Sequence, residues 1–179
     1  MNSYCVLFFL VMLLAACGTH DQSKNTSGAE KGAPQLGIYV VQGDSVVVPP
    51  FAVEVRLSDK ANQELAARKE TIIVAAYLEG VPARNNPSLV NRTKEGGLRI
   101  GEARVELRTG RTAKFAGIRF ARPLYDQLGD KDLNVLVNVF SGRKSTENNL
   151  LSCTIIQEKI GALAGQTRLV TGHLIEGDD

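Results

Sequence analysis

Apolar and polar residues divide the chain into three stretches. An apolar run fills residues 6–13, and after residues 14–17 no large apolar side chain occurs until Leu36. From Leu36 onwards, short apolar runs alternate with clusters of Gly, Pro, Asn and Asp, a pattern that is typical of β-strands joined by turns. The pattern therefore predicts a single β-rich domain over residues 36–179.

Several runs have the alternation or the β-branched content that predicts strands. In residues 52–57 the side chains of Val53, Val55 and Leu57 share one face, and charged residues occupy the other. Residues 71–78 are nearly all apolar, which predicts a central strand with both faces covered. Further strands are predicted at residues 37–41, 45–48, 98–107, 112–120, 133–140, 150–157 and 167–175, with 98–107 and 112–120 forming a hairpin.

Two short helices interrupt the predicted strands. Ser58 is a suitable N-cap for a helix over residues 59–68, and Pro123 occupies a first-turn position of a helix over residues 123–128. Each helix follows a strand and leads into an apolar strand that ends in glycine, at Gly80 and Gly142. Either the chain uses one strand–helix–strand unit twice, or two β-rich segments resemble each other by chance.

These elements predict an all-β fold. We expect a two-sheet sandwich of the immunoglobulin-like or transthyretin-like kind, with about seven or eight strands and two short helices. The alternative is an α+β domain in which the helices cover one face of a sheet.

The composition is that of a globular protein. Apolar residues make up 44% of the chain and charged residues 22%, and the net charge of +2 is too small to indicate nucleic acid binding. There is no Trp, so stacking platforms for sugars or bases are poorer than usual. Residues 18–35 are small, polar and interrupted by Gly and Pro, which predicts a flexible tether of roughly 25 Å.

The residues Leu14-Ala15-Ala16-Cys17, directly after the apolar run, resemble the lipobox of bacterial lipoproteins. The resemblance implies that residues 1–16 are a signal peptide, that the Cys17 thiol receives a diacylglyceryl group, and that Cys17 begins a mature protein with a tether over residues 17–35. The apolar run is about half the roughly 20 residues that a membrane-spanning helix needs. An ordinary secretory signal and a non-cleaved anchor are the alternatives, and residues 1–5 lack the Lys or Arg of most export signals.

The lipid would suffice to hold the protein on a membrane, because two or three acyl chains on one residue give lasting attachment. Gly18 rather than Asp follows Cys17. By the same resemblance, the protein of a Gram-negative bacterium would move to the outer membrane and face the periplasm. Cys5 would leave with the signal peptide, so Cys153 would remain as the one free thiol and an apolar core would have to stabilise the domain.

No catalytic or metal-binding motif is evident, and no cofactor is predicted. Cys153 lies at strand spacing between Leu151 and Ile155, so we expect its side chain to face the core. His173 is the one histidine of the predicted domain, too few for a His-rich metal site, and no Gly-x-Ser-x-Gly motif supports it as the base of a catalytic triad. One predicted strand carries a face of alternating charge that is best read as solvated, formed by Glu102, Arg104, Glu106 and Arg108.

The candidate binding surface consists of the two polar loops that follow the glycine-ended strands. If the loops share an end of the domain, their basic and amide side chains form one surface for a partner protein or an anion. The residues concerned are Arg84, Asn85, Asn86, Arg92, Lys94, Arg143, Lys144, Asn148 and Asn149. The alternative is that these are ordinary solvated loop residues.

We therefore expect a lipid-anchored, non-enzymatic protein of the bacterial cell envelope that binds another protein as a scaffold or assembly subunit. A second hypothesis is an inhibitor or immunity-type lipoprotein that inserts a loop into a toxin or hydrolase. A third is a small hydrolase built around His173. No nucleic acid and no small-molecule substrate is indicated.

Overall fold

The structure is a computed structural model that describes residues 35–85, 97–108 and 110–175. All of them belong to one compact unit, Ala33–Asp179. They are mostly β, which confirms the all-β prediction at that level. In place of seven or eight strands and two helices, these residues form twelve strands and three short helices.

The strands are short and are joined by turns and by the helices. They are β1 Gln35–Leu36, β2 Tyr39–Gln42, β3 Ser45–Val47, β4 Phe51–Leu57, β5 Ile72–Gly80, β6 Leu98–Leu107, β7 Thr112–Phe115, β8 Arg119–Ala121, β9 Asn134–Ser141, β10 Leu151–Cys153, β11 Ile156–Lys159 and β12 Thr167–Leu174. The helices are α1 Asp59–Ala67, α2 Arg122–Asp126 and α3 Ile160–Leu163. Within the described ranges no helix has the length and apolar content to cross a membrane.

The strands form three four-stranded sheets. Sheet A has the order β1-β2-β3-β8, sheet B the order β10-β12-β4-β7, and sheet C the order β11-β9-β5-β6. All pairings are antiparallel except that of β12 with β4 in sheet B. One cluster of buried apolar side chains draws on all three sheets and all three helices. The sheets therefore share a single core.

Several sequence predictions fail where the chain passes from one sheet to another. The strand predicted over residues 112–120 is divided at Gly117, whose φ is 70°, into β7 of sheet B and β8 of sheet A. The predicted hairpin is therefore wrong, because β6 lies in sheet C and β7 pairs with β4. Residues 150–157 likewise divide into β10 of sheet B and β11 of sheet C. Alternation cannot reveal such a change of sheet, because both halves keep the period of two.

Helix α1 forms for the reasons that the sequence indicates. The Ala61 N–H donates to the Ser58 hydroxyl at 3.2 Å, which satisfies one of the free donors at the helix start. Ala61 and Leu65 are the buried side chains of its apolar face. The helix leads into β5, so its C-terminal end decides how that strand begins.

The end of α1 is a Schellman motif without glycine. The Glu70 N–H donates to the Leu65 carbonyl at 2.8 Å, and the Lys69 N–H donates to the Ala66 carbonyl at 3.1 Å. Lys69 therefore occupies the left-handed position, with a φ of 52°. This tight turn brings the side chain of Glu70 to the start of β5.

The two strand–helix–strand units are both present, as β4-α1-β5 and β8-α2-β9. Strands β5 and β9 are neighbours in sheet C and run antiparallel, with Ile72 opposite Ser141 and Glu79 opposite Asn134. Their C-terminal ends consequently lie at opposite ends of the sheet, roughly 24 Å apart at about 3.4 Å per residue.

A cluster of three aromatic rings connects sheet A to the start of β9. Tyr39 is buried, and its ring lies edge-on to Phe120 at 6.4 Å and to Tyr125 at 5.4 Å between centroids. The Tyr39 hydroxyl accepts a hydrogen bond of 3.1 Å from the N–H of Leu133. Burial raises the pKa of Tyr39 far above its usual range, so the hydroxyl stays protonated.

We predict that Tyr39→Phe lowers the free energy of unfolding by about 1–3 kcal/mol, because it leaves the buried N–H of Leu133 without an acceptor. Urea denaturation of the purified protein measures this change. Tyr125→Phe is the matched control, since no hydrogen bond from its hydroxyl is found among the described residues. An equal loss in both variants would contradict the assignment.

Candidate functional site

The candidate loop residues are only partly within the described ranges. Four residues that carried the sequence hypotheses lie outside those ranges, namely Cys17, Asn86, Arg92 and Lys94. Arg84 and Asn85 are exposed in the turn that follows β5. The remaining candidates belong to the segment between β9 and β10, residues 142–150, which we call the β9–β10 loop.

The expectation that the two loops share an end of the domain is wrong. Arg84 and Asn85 follow the C-terminal end of β5, whereas Arg143 and Lys144 follow the C-terminal end of β9. Because these neighbouring strands are antiparallel, the two loops start at opposite ends of sheet C. The strand–helix–strand unit occurs twice, but the last strands of the two copies, β5 and β9, run in opposite directions.

The β9–β10 loop is held by the carboxylate of Glu70, which is only 8% exposed. Its Oε1 accepts from the N–H groups of Thr71 at 2.9 Å and Lys144 at 3.0 Å. Its Oε2 accepts from the N–H groups of Lys144 at 2.8 Å and Ser145 at 2.9 Å, and from the Ser145 hydroxyl at 2.9 Å. We call these four residues the Glu70 clasp.

The donors of the clasp keep Glu70 ionised. Burial on its own raises the pKa of this carboxyl group, but hydrogen bonds from Ser145, Lys144 and Thr71 outweigh burial and lower the pKa to about 2. The carboxylate is therefore charged at any physiological pH, and its charge is compensated by fixed donors. The result is a loop whose first turn is locked to the beginning of β5.

Close backbone packing at Gly142 completes the clasp. The Gly142 N–H donates to the Thr71 carbonyl at 2.7 Å. A Cβ atom at Gly142 would lie 1.9 Å from the Thr71 hydroxyl oxygen and 3.2 Å from Glu70 Oε1, so only glycine fits there. The next residue, Arg143, has a φ of 57°, and Lys69 has a φ of 52°. Non-glycine residues in this left-handed region are uncommon, and the clasp lies between two of them.

Asn149 has a structural role in the loop. Its Oδ1 accepts from the N–H groups of Ser141 at 2.9 Å and Leu151 at 3.1 Å, and its amide nitrogen donates to the Leu151 carbonyl at 2.7 Å. These bonds join the end of β9 to the start of β10 and occupy the side chain. Asn148 beside it is exposed.

An open cleft of about 580 Å³ lies beside the Glu70 clasp, and we call it the clasp cleft. Leu65 and Ala66 of α1 form an apolar part of its lining, and its polar groups are those of Lys69, Glu70, Thr71, Glu106, Arg108 and Lys144. The ammonium of Lys144 lies 3.4 Å from the Glu106 carboxylate.

The hydroxyl of Thr71 is an unusual feature of the clasp cleft. It is buried and makes no hydrogen bond of normal geometry. It lies near enough to Glu106 to lower the pKa of that carboxyl group, with burial opposing the effect and Lys144 adding to it. A buried polar group of this kind is rare in folded proteins and can take a hydrogen-bonding ligand.

The outer face of sheet C presents half-exposed apolar side chains beside the charged row of β6. Its central members, Ile73 and Tyr77 of β5 and Leu136 and Phe140 of β9, surround the buried Ala75. They are cross-strand neighbours, since Tyr77 pairs with Leu136 and Ile73 with Phe140. Strand β5 contacts chiefly β6 and β9, its neighbours within the sheet. The prediction of two covered faces for β5 is therefore right for one face only.

Arginine side chains lie over the two aromatic rings of the outer face. The Arg99 guanidinium is 4.1 Å from the centre of the Tyr77 ring, and that of Arg143 is 5.9 Å from the centre of the Phe140 ring. Strand β6 adds the row of alternating charge, in which Arg104 pairs with Glu102, as the sequence indicates for a solvated face. The outer face thus has a largely apolar centre, interrupted by the exposed Asn138 opposite Ala75, with the charged row of β6 along one side.

A separate cleft of about 440 Å³ surrounds His173. Ser152 is the direct cross-strand partner of His173, and Cys153 lies beside them. No Asp or Glu is among the residues that line this cleft.

Burial raises the pKa of the Cys153 thiol to about 11, and its side chain packs against the core as predicted. In the part of the chain that the structure describes, no group of three or more His, Cys, Asp or Glu side chains could hold a metal ion.

Comparison with protein-family models, curated proteins and solved structures finds no match to this chain.

Sequence reasoning overlooked the residues that organise the site. In the sequence, Arg68-Lys69-Glu70 is a short charged segment between a predicted helix and a predicted strand. The residues around it do not indicate that Glu70 is buried. Apart from the neighbouring Thr71, its donors are 74 and 75 residues away in the chain. The glycine at the end of β9 was the available signal, because Gly142 is where the two segments meet.

We predict that Glu70 makes stability depend on pH. Its folded pKa of about 2 lies below the 4.5 of the free group, so unfolding takes up a proton between these values. The contribution, about 3 kcal/mol, is complete above pH 4.5 and is lost as the pH falls towards 2. Denaturation curves from pH 2 to 7 should differ by this amount between the native chain and Glu70→Gln. Glu54→Gln, which removes an exposed carboxylate paired with Arg56, should leave the pH dependence nearly unchanged.

We also predict that Gly142→Ala lowers the free energy of unfolding by about 1–3 kcal/mol, because the added methyl group collides with the Thr71 hydroxyl. In the double variant Gly142→Ala with Thr71→Ala, the collision is relieved and part of the loss should return. A double-mutant cycle by urea denaturation measures this coupling. Strictly additive losses would show that the two residues do not meet.

Proposed function

We propose that this chain is a lipid-anchored protein of the bacterial cell envelope that binds a protein partner and is not an enzyme. The lipobox-like residues Leu14-Ala15-Ala16-Cys17 support an anchor at Cys17, on the outer membrane and facing the periplasm if the source is Gram-negative. The observation that supports partner binding is the outer face of sheet C, where half-exposed apolar side chains of two neighbouring strands lie side by side.

The make-up of the outer face is that of a protein interface. Interfaces are enriched in Tyr, Phe and Arg at the centre and have a polar rim, and a few such residues supply most of the binding energy. Here Tyr77 and Phe140 are presented on the two central strands, each beside an arginine. A flat, rigid sheet loses little conformational freedom on binding, which favours affinity.

We further propose that sheets B and C are the two layers of an immunoglobulin-like or transthyretin-like sandwich, with sheet A at one margin. The single core shared by the sheets supports this arrangement. A sandwich of this kind leaves one face of each sheet for solvent or for a partner.

An inhibitor or immunity-type function is the second candidate, and the Glu70 clasp favours it. A loop that enters the active site of a toxin or hydrolase binds best when it is already ordered. The β9–β10 loop is ordered in this way by the clasp and presents the exposed Arg143 and Lys144. In this case the loop, and not the sheet face, would make the decisive contacts.

The anchor is tested by labelling growing cells of a bacterial host with an alkyne-modified fatty acid. We expect the native chain to take up the label and to sediment with membranes. Cys17→Ala should lose both properties, because it removes the acylated thiol. A Cys17→Ala variant that still sediments with membranes would contradict lipid anchoring.

Partner binding is tested by chemical crosslinking in the envelope of the source organism. We expect a specific adduct of the native chain whose yield falls about tenfold or more in Leu136→Glu, because a carboxylate in the centre of an apolar interface is left unpaired. Leu169→Glu is the matched control, since Leu169 is 45% exposed on the outer side of sheet B.

Three outcomes separate the candidates. An adduct that survives in Leu136→Glu but is lost in Glu70→Gln favours the inhibitor function, because only the loop has been released. An adduct that is unchanged in both variants contradicts both candidates. The absence of any adduct of the native chain contradicts partner binding altogether.

A further inference from the structure

Three polar groups of the clasp cleft form no ion pair and no hydrogen bond of normal geometry within the described ranges. The ammonium of Lys69 and the guanidinium of Arg108 form no ion pair there. The hydroxyl of Thr71, on a residue only 8% exposed, makes no hydrogen bond of normal geometry, and it lies near the Glu106 carboxylate, whose pKa it lowers. Two cations and a buried donor therefore surround the same open space of about 580 Å³.

The charges of the clasp cleft leave a small positive excess. Lys69, Arg108 and Lys144 carry three positive charges, and Glu70 and Glu106 carry two negative charges, so the sum is +1. The carboxylate of Glu70 is already saturated by five hydrogen bonds, and that of Glu106 lies beside Lys144. Arg108 also acts on Glu106 and helps to lower its pKa, so Glu106 faces two cations and Lys69 faces no carboxylate that lacks donors; the positive excess therefore lies on the side that Lys69 and Arg108 form.

The clasp cleft is continuous with the proposed interface. Glu106 lines the cleft and also belongs to the charged row of β6, opposite Ile73 of the outer face. Arg143, next to Lys144 in the loop, lies over Phe140 of the same face. A protein seated on the outer face would therefore reach the cleft at the end where β5 begins.

We propose that the clasp cleft binds a single carboxylate of the protein partner, an Asp or Glu side chain or a chain terminus, through Lys69, Arg108 and Thr71. This inference rests on the proposed partner-binding function and names the chemistry of the partner. Leu65 and Ala66 offer an apolar wall for the methylene groups that carry the carboxylate. The carboxylate accepts from the Thr71 hydroxyl while the two cations balance its charge.

A single carboxylate fits better than a phosphate group. A phosphate monoester brings nearly two negative charges close to Glu70 and Glu106, whereas the cleft has an excess of one positive charge. A carboxylate brings one. Repulsion from the two glutamates therefore favours the carboxylate.

The test uses the full acylated chain in detergent micelles, with N-acetylglutamate α-amide, which carries one carboxylate, as the probe. The amide N–H signals of Lys144 and Ser145 report binding in a nuclear magnetic resonance titration, since both N–H groups lie in the clasp beside the cleft. We expect these signals to shift and saturate with N-acetylglutamate α-amide and to stay in place with N-acetylglutamine amide, which differs only in its neutral side chain. Arg108→Gln and Lys69→Gln should each weaken binding about tenfold. Lys114→Gln, an exposed cation of sheet B, should have no effect.

Several results would overturn the proposal. Binding of the neutral amide as tightly as the acid would do so, and so would tighter binding of inorganic phosphate. Native affinity in the Arg108→Gln and Lys69→Gln variants would also do so. Crosslinking in the envelope separates this inference from the function on which it rests. If the native chain forms its adduct and Arg108→Gln forms as much, the carboxylate site is wrong while partner binding stands. If the native chain forms none, partner binding itself is contradicted.

Discussion

The antiparallel pairing of β5 with both β6 and β9 is the constraint on which the other parts of the domain depend. It places an apolar strand at the centre of sheet C, with one face in the shared core and the other towards the outside. It also sets the direction of the chain on each side, so that the loop after β9 returns to the beginning of β5. Without that register, Gly142 would not lie against Thr71, and Glu70 would have no donors to compensate its buried charge.

The clasp and the outer face are therefore two parts of one arrangement. Glu70 ties the β9–β10 loop to the strand that carries Ile73 and Tyr77, and the same loop places Arg143 over Phe140. The conformation of the β9–β10 loop and the arrangement of side chains on the outer face therefore depend on each other. A domain without disulfide bonds thereby obtains a rigid surface from its core and from one compensated carboxylate, since the one cysteine within the described ranges is free.

The sequence predicts the local elements better than their assembly. The alternation in β4, the Ser58 cap of α1 and the apolar strands β5 and β9 are all visible in the order of residues. What the order does not contain is the direction in which the two repeated units meet, which is set by packing between distant segments. For that reason the sequence left open that the two polar loops share an end, whereas they start at opposite ends of sheet C. Glu70 was overlooked for the same reason, because two of its three donor residues, Lys144 and Ser145, are more than 70 positions away.

The claim that the outer face of sheet C is the binding surface can be tested most directly by hydroxyl-radical footprinting. Oxidation of Tyr77, Phe140, Leu169 and His173 would be compared between the protein in intact cells of its source organism and the same protein purified in detergent. The account predicts that oxidation of Tyr77 and Phe140 falls several-fold in the envelope while that of Leu169 and His173, on sheet B, is unchanged. Equal oxidation of Tyr77 and Phe140 in the two preparations would contradict it.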